Sequence, residues 1–468
     1  MSKGKQLFKN TIIVTIGKIS TQLITFLLLP VYTAVLTKEE YGVVDLLNTL
    51  VGLFLPIVTL QIEQGLFRYL IDYRKEKEKQ IEIITTVVRF IIIQAISYML
   101  VFILIGSFIK NEYKYFLALN LIVSMFVTIF LQICRGLGDN KRYAIGSFIS
   151  GSLTVILNVI FIVIFNLGAY GMLSASIIAN LICIIYIFFS EKLYGFIEFK
   201  RYKSNIMREI VKYSIPLVPN MVSWWIVDAS DRTIISMILG IGKNGIYSAS
   251  NKFTNVFSSL YSVFNLTWTE SASININLPD KDEFFSKILD ITIRFFGSLV
   301  ILIITFMPFV FSILINENFK EAYYQIPILM IGGMFNVLVS FIGSIYVAKK
   351  ITKEIAKTSV IAAVINLSIN VLFIKQIGLY AASISTLIAY FSMFIYRFID
   401  SRKYIKFTVN KKLIYTMIFF LVCSTIIYYE GSTKLRILNS IIITIYAVFI
   451  NRDSTGFIIK GIRQKINK

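Results

Sequence analysis

KYSIPLVPNMVSWWIVDASDRTIISMILGIGKNGIYSASNKF, residues 212–253, is hydrophobic enough to enter a bilayer, yet it carries Asp228, Asp231, Arg232 and Lys252 inside its apolar runs. An ionised side chain at membrane depth costs roughly 2.5–3.5 kcal/mol on insertion scales, so it normally faces a protein interior or a water-filled cavity. Asp228 and Arg232 stand four apart with the acid first, the spacing of an intrahelical salt bridge. Structural neutralisation explains that pair as well as function does. Asp231 and Lys252 are left over, and a polar cavity accounts better for the whole stretch.

The rest of the chain fits that setting. It has 468 residues, 56% hydrophobic and 16% charged, with a mean hydropathy of +0.75. Soluble domains carry about 25% charged residues, so the class is an all-α integral membrane protein. Histidine is absent, which removes His-based acid–base chemistry and most transition-metal sites. Cys134, Cys183 and Cys423 form no CxxC pair, so neither a disulfide framework nor a thiolate metal site is suggested. No GxxxxGK[ST] phosphate loop is present, so ATP hydrolysis by this chain is not expected, and no cofactor is expected. The first apolar run, 11–36, is too long for a signal-peptide core and reads as a retained helix.

Apolar runs long enough to span, about 20 residues each, recur fourteen times. They are 11–36, 42–70, 81–109, 113–134, 142–166, 170–190, 212–240, 245–274, 284–315, 322–348, 354–377, 379–400, 412–429 and 434–451. With the N-terminus in the cytoplasm, and residues near a span's edge such as Arg68 counted with the adjoining segment, the inner segments hold 34 Lys and Arg and the outer loops 8, while Lys18, Arg89, Arg232, Lys252 and Arg294 stay inside spans. That bias is the positive-inside rule. A multi-pass membrane protein with both termini cytoplasmic is expected. The net charge of +21 then needs no nucleic-acid partner. Clusters such as Arg74, Lys75, Lys77 and Lys79 read as topology signals beside anionic lipid of the bilayer.

The chain repeats itself. LTKEEYG, Leu36 to Gly42, and LGIGKNG, Leu239 to Gly245, are both Leu-x5-Gly between two spans, offset by 203. CRGLGDNKRYA at Cys134 matches YVAKKITKEIA at Tyr346, offset by 212. Asn158, Gly168 and Tyr170 parallel Asn370, Gly378 and Tyr380. The shared order implies duplication. The expected divisions are an N-terminal six-helix lobe (1–190), a cytoplasmic linker (191–211), a C-terminal six-helix lobe (212–400), and two further helices with a tail (401–468). Parallel repeats of this kind hold their ligand at the repeat interface.

Polar stripes point the same way. The second span carries Asp45, Thr49, Gly52, Pro56, Thr59 and Glu63 in steps of 4, 3, 4, 3 and 4, one face of a helix. The eighth carries Ser248, Lys252, Asn255, Ser259 and Ser262, the first five of those positions plus 203. Lys18, Thr21, Gln22 and Thr25 share a face of the first span. Asn220, Ser223, Asp228, Asp231 and Arg232 lie on the seventh, beside Trp224 and Trp225. Small and hydroxyl residues at such spacing often only pack helices together, and Gly52, Ser259 and Ser262 read that way first. Charges need another reason, so two pseudo-symmetric six-helix bundles lining a central cleft are expected. Arg89 and Arg294, about ten residues inside their spans, either join the cleft or snorkel to the interface. Cations in an apolar wall suit an anionic head group on a lipid tail. Lys18, Gln22, Arg89, Arg232, Lys252, Asn255 and Arg294 are the candidate substrate-binding residues. Asp45, Glu63, Asp228 and Asp231 are the candidates for ion coupling.

At these residues the chain resembles the polysaccharide-transporter family, the flippases of O-antigen and capsule repeat units within the multidrug/oligosaccharidyl-lipid/polysaccharide exporter superfamily. One signature is Pro30, Thr33, Leu36 and Glu40-Tyr41-Gly42. The family's usual Arg and Gly-Pro are replaced here by Ala34 and Thr37-Lys38. The other is Asp231-Arg232, Gly240, Gly245-Ile246-Tyr247 and Lys252. With the repeat, the resemblance covers about residues 10–400. It implies a bacterial plasma-membrane transporter, not an enzyme, that moves a polyprenyl-pyrophosphate-linked oligosaccharide outward by alternating access. Coupling to a proton, to sodium or to membrane potential is implied, with polysaccharide polymerase machinery as a partner. The last two helices also look like the fourteen-helix peptidoglycan-precursor flippases, which keeps that substrate open. An ion-coupled drug exporter would want a net acidic, aromatic cleft. A polymerase or ligase would want a large catalytic outer loop, and the outer loops here are a dozen residues or fewer.

Overall fold

The computed structural model describes residues 26–106, 111–349 and 351–452. In chain order the helices are α1 (Leu29–Val35), α2 (Lys38–Thr59), α3 (Ile62–Asp72), α4 (Lys77–Gly106), α5 (Lys114–Leu137), α6 (Asn140–Val159), α7 (Gly168–Ser190), α8 (Ser204–Ser214), α9 (Leu217–Ile238) and α10 (Ile241–Asn275). Then come α11 (Lys281–Leu314), α12 (Ala322–Ala348), α13 (Thr352–Ile377), α14 (Leu379–Ser401), α15 (Lys411–Glu430) and α16 (Thr433–Ile450). Among the described residues there is no strand, and eleven helices are long and apolar enough to cross a membrane.

Those eleven coincide with eleven of the fourteen expected spans. The first span lies mostly outside the described residues. The expected spans 212–240 and 245–274 are helices, α9 and α10, but too polar to count among the eleven. On α9 the reason is the three charges Asp228, Asp231 and Arg232 close together, and on α10 it is the many Ser, Thr and Asn residues along the helix, with Lys252 among them.

One expected helix is broken. The span 42–70 forms α2 and α3, separated by Leu60 and Gln61, which both adopt left-handed backbone with φ of 53° and 56°. That conformation costs a non-glycine residue roughly 1–2 kcal/mol. The stripe therefore runs on one helix only from Asp45 to Thr59, and Glu63 follows the break.

Packing groups the chain into two compact units, 1–245 and 246–468. In the first, Ile62, Leu66 and Leu70 of α3 pack with Ile84, Val87, Ile129, Ile133 and Ile187 in one core. In the second, the core centres on Trp268, whose indole stacks on Phe341 at 4.4 Å and donates to the Phe341 carbonyl at 3.0 Å. The last two helices pack on α11 through buried polar contacts. Asn439 of α16 donates to Thr305 of α11 and to Ser424 of α15, and Asn451 donates to Ser298 of α11.

Candidate functional site

The motif TKEEYG starts α2. Thr37 caps the helix by accepting from the Glu40 N–H at 3.1 Å, while the Glu40 carboxylate accepts from the Thr37 N–H at 2.9 Å. This reciprocal capping box satisfies donors a helix start leaves open. Two residues on, the backbone of Gly42 meets that of α10. A Cβ at Gly42 would stand 2.1 Å from the Ile241 carbonyl oxygen, and one at Gly245 would stand 2.1 Å from the Lys38 carbonyl oxygen. Residues 38 and 241, like 42 and 245, are related by the repeat offset of 203. The two copies of the motif therefore touch reciprocally. Asn244, fully buried, donates from Nδ2 to the Gly42 carbonyl at 2.9 Å.

Further along, the predicted stripe of α2 faces α9. Pro216 and Pro219 stand at the start of α9, where backbone N–H groups have no helix partner anyway. Arg232 Nε lies 3.2 Å from Asp45 Oδ2, an ion pair whose N–H is not aligned for a hydrogen bond. Arg232 also reaches the Thr49 hydroxyl at 3.5 Å. Both charged side chains are only 16% exposed. The Trp225 indole donates to the Thr49 carbonyl at 2.9 Å and lies 3.7 Å from where a Gly52 Cβ would be. Gly52 is thus a packing residue, the role first read from its small size.

The other candidates are placed as follows. Asp231 is buried beside Arg232, and Asp228 is exposed one turn earlier on α9. Glu63 is buried just past the break. Its Oε1 accepts from Gln61 Nε2 at 2.9 Å, while Oε2 has no partner of hydrogen-bond geometry among the described residues. Arg89 is exposed on α4, its guanidinium 4.8 Å from the Tyr202 ring centre. In the second unit, Lys252 is half-buried and Asn255 exposed on α10. Arg294 is half-buried on α11, one turn after Asp290, and the two charges interact. Lys18 and Gln22 lie outside the described residues. Among the described residues no group of His, Cys, Asp and Glu could hold a metal ion.

Arg397 went unrecognised in the sequence, where it counts as a loop charge at the end of the twelfth span. It is 1% exposed. Its guanidinium donates to Thr358 at 2.9 Å, the Val339 carbonyl at 3.1 Å and the Ile355 carbonyl at 3.3 Å, tying α12, α13 and α14 together. No periodicity signals such a residue, because its partners are mostly backbone oxygens.

Long apolar helices, with charged side chains paired between them, define a polytopic membrane protein. The chain belongs to the polysaccharide biosynthesis protein family, whose model matches residues 7–268. It is 28% identical over 268 residues to the Lsg locus putative protein 1 of Haemophilus influenzae, covering 56% of this chain and 64% of that relative's length. In fold it is similar to the lipid II flippase MurJ in an inward closed conformation, with a TM-score of 0.68 at 16% identity over 95% of this chain and 100% of that one. It is also similar to an inward-facing multidrug resistance MATE family transporter of the MOP superfamily, with a TM-score of 0.66 at 12% identity over 82% and 94% of the two chains. At those identities the likeness is one of fold.

Proposed function

We propose that this chain flips a polyprenyl-pyrophosphate-linked oligosaccharide across the bacterial plasma membrane for cell-surface polysaccharide biosynthesis. Family membership supports the polysaccharide role, and a fold shared with a lipid II flippase supports a lipid-borne cargo. The observation that carries the reading is Arg232, a guanidinium held by Asp45 and Thr49 between two helices of a membrane protein. A guanidinium bonds phosphate about twice as strongly as a neutral donor would. Lys18, Gln22, Arg89, Lys252, Asn255 and Arg294 complete the proposed contacts to substrate. Asp45, Glu63, Asp228 and Asp231 are the proposed coupling groups, since carboxylates at membrane depth form proton and ion relays. The repeat-related halves, 1–190 and 212–400, would alternate access, with residues 401–468 appended. A peptidoglycan precursor is the second reading, favoured by full coverage of the MurJ chain.

In proteoliposomes, the expected result is movement of a polyprenyl-pyrophosphate oligosaccharide between leaflets, accelerated by an imposed proton or sodium gradient. Movement of lipid II alone would select the second reading, and no movement of either lipid would end both. Orientation is checked by cysteine labelling. Asn244 is too buried to serve as an outer probe. A cysteine at the exposed Lys320 should react with an impermeant reagent from outside, and one at the exposed Lys77 should not. The reverse pattern would invert the topology.

A further inference from the structure

The segment joining the two repeat halves is docked on the first unit. The Thr85 hydroxyl of α4 donates to the Phe196 carbonyl at 3.1 Å and accepts from the Glu198 N–H at 2.9 Å. The Thr86 hydroxyl accepts from the Lys203 N–H at 3.0 Å. Both threonines are fully buried. Next, α8 buries Met207, Ile210 and Ser214 on one face, with Ile210 and Ser214 packed against Gly65 of α3.

The charges on this segment fall into two sets. Arg201 pairs with Glu78 and Glu198, and Lys203 pairs with Glu82. Glu209, the only acid of α8, is engaged by the Tyr69 hydroxyl. Arg208 and Lys212 form no ion pair with any described residue. They lie one helical turn apart, on one face of α8. Together they line an open surface hollow of about 430 Å³ with Tyr202, Ser204, Met207 and Val211. Arg89, also without an ion pair among the described residues, closes over the Tyr202 ring. Two cations and two hydroxyls thus line a partly apolar hollow whose lining holds no acid, with Arg89 next to it against the Tyr202 ring.

We propose that this hollow binds the phosphate of a lipid headgroup at the membrane surface. Arg208 supplies the planar fork that suits phosphate oxygens and Lys212 a point charge. Tyr202 and Ser204 supply hydroxyl donors, and Met207 and Val211 cover the first carbons of the lipid. The volume falls within the range of small-molecule sites. Two lipids carry this chemistry: an anionic phospholipid of the bilayer, and the pyrophosphate end of a polyprenyl-linked substrate. Only the second rests on the flippase reading. The plain rival is a topology signal, cations that merely favour one side of the membrane. A topology signal needs no hollow, and Lys200 would serve it as well as Arg208.

The test uses the full chain in phosphatidylcholine nanodiscs, titrated separately with phosphatidylglycerol and with polyprenyl pyrophosphate and read by native mass spectrometry. The double variant Arg208→Gln/Lys212→Gln should bind at least one lipid roughly 10- to 30-fold more weakly, at about 1 kcal/mol per cation. Arg89→Gln, on a different helix, should weaken binding of the same lipid, which separates a lost site from a distorted α8. Lys200→Gln should leave binding unchanged. Loss for phosphatidylglycerol alone assigns the site to the bilayer, and it stands even if flipping fails. Loss for the pyrophosphate lipid assigns it to the substrate. Unchanged binding of both lipids, or an equal loss in Lys200→Gln, overturns the proposal.

Discussion

Gly42→Ala and Gly245→Ala are each expected to abolish surface-polysaccharide production in a complementation assay, and the double variant is expected to be little less stable than either single one. Each added Cβ would sit 2.1 Å from a carbonyl oxygen, that of Ile241 in one case and Lys38 in the other. Further backbone lies just behind, since the Gly42 Cβ would be 2.9 Å from the Gly245 nitrogen and the Gly245 Cβ 3.1 Å from the Gly42 nitrogen. Backbone cannot rotate away as a side chain can, so the two helix starts must separate by an ångström or more. Overpacking costs typically 1–3 kcal/mol, and the backbone obstacle puts these sites near about 3 kcal/mol. The same separation also pulls the Asn244 amide off the Gly42 carbonyl, now held at 2.9 Å. Both clashes are relieved by one movement. Independent sites would sum to about 6 kcal/mol, whereas shared relief leaves the double variant near about 3 kcal/mol. Unfolding titrations in detergent measure this. Additive losses, or wild-type stability in either single variant, would show that the two motif copies do not lock against each other.

That contact was half legible in the sequence. The offset of 203 paired Gly42 with Gly245, and helical spacing put Asp45, Thr49 and Gly52 on one face. Which partner that face would meet was not legible. Asp228, four residues before Arg232, looked like an intrahelical partner, and the structure adds Asp45, 187 positions away, as an ion-pair partner of Arg232. Local spacing limits which neighbours are possible on one helix, but it carries no information about the helix opposite. The break at Leu60 and Gln61 was equally hidden, because neither residue is a turn former and nothing local prefers their left-handed backbone. Tertiary packing must hold it, with Ile62 and Leu66 fully buried just beyond. Arg397 was counted with the loop charges because a basic residue near the end of a span normally snorkels outward. Here the inward carbonyls of Val339 and Ile355 outweigh that tendency. The fold class was readable because it depends on composition and period. Fine placement of charge was not, because it depends on contacts between distant residues.

Neutralising both Asp45 and Arg232 should restore stability without restoring transport. Asp45→Asn takes one carboxylate away from the guanidinium, and Arg232→Gln takes the guanidinium away from Asp45. Breaking a buried pair from one side costs about 3–5 kcal/mol, and some discount applies here because each side chain is 16% exposed. Each single variant should therefore lose about 2–3 kcal/mol of stability. In Asp45→Asn/Arg232→Gln neither charge remains to be desolvated, and two amides can bond across the same gap. That variant should unfold within about 1 kcal/mol of wild type. Transport separates the two meanings of the pair. If Arg232 contacts the pyrophosphate, loss of a charge-assisted contact worth about 3 kcal/mol slows flipping by about 100-fold, even in a stable protein. A double variant that folds and flips at the wild-type rate would make the pair a structural tie between α2 and α9. The substrate contact would then have to be sought at Lys252 or Arg294. A stable but inactive double variant would show that the pair serves transport and not packing alone, and Arg232→Gln with Asp45 retained would then tell substrate binding by Arg232 from coupling by Asp45.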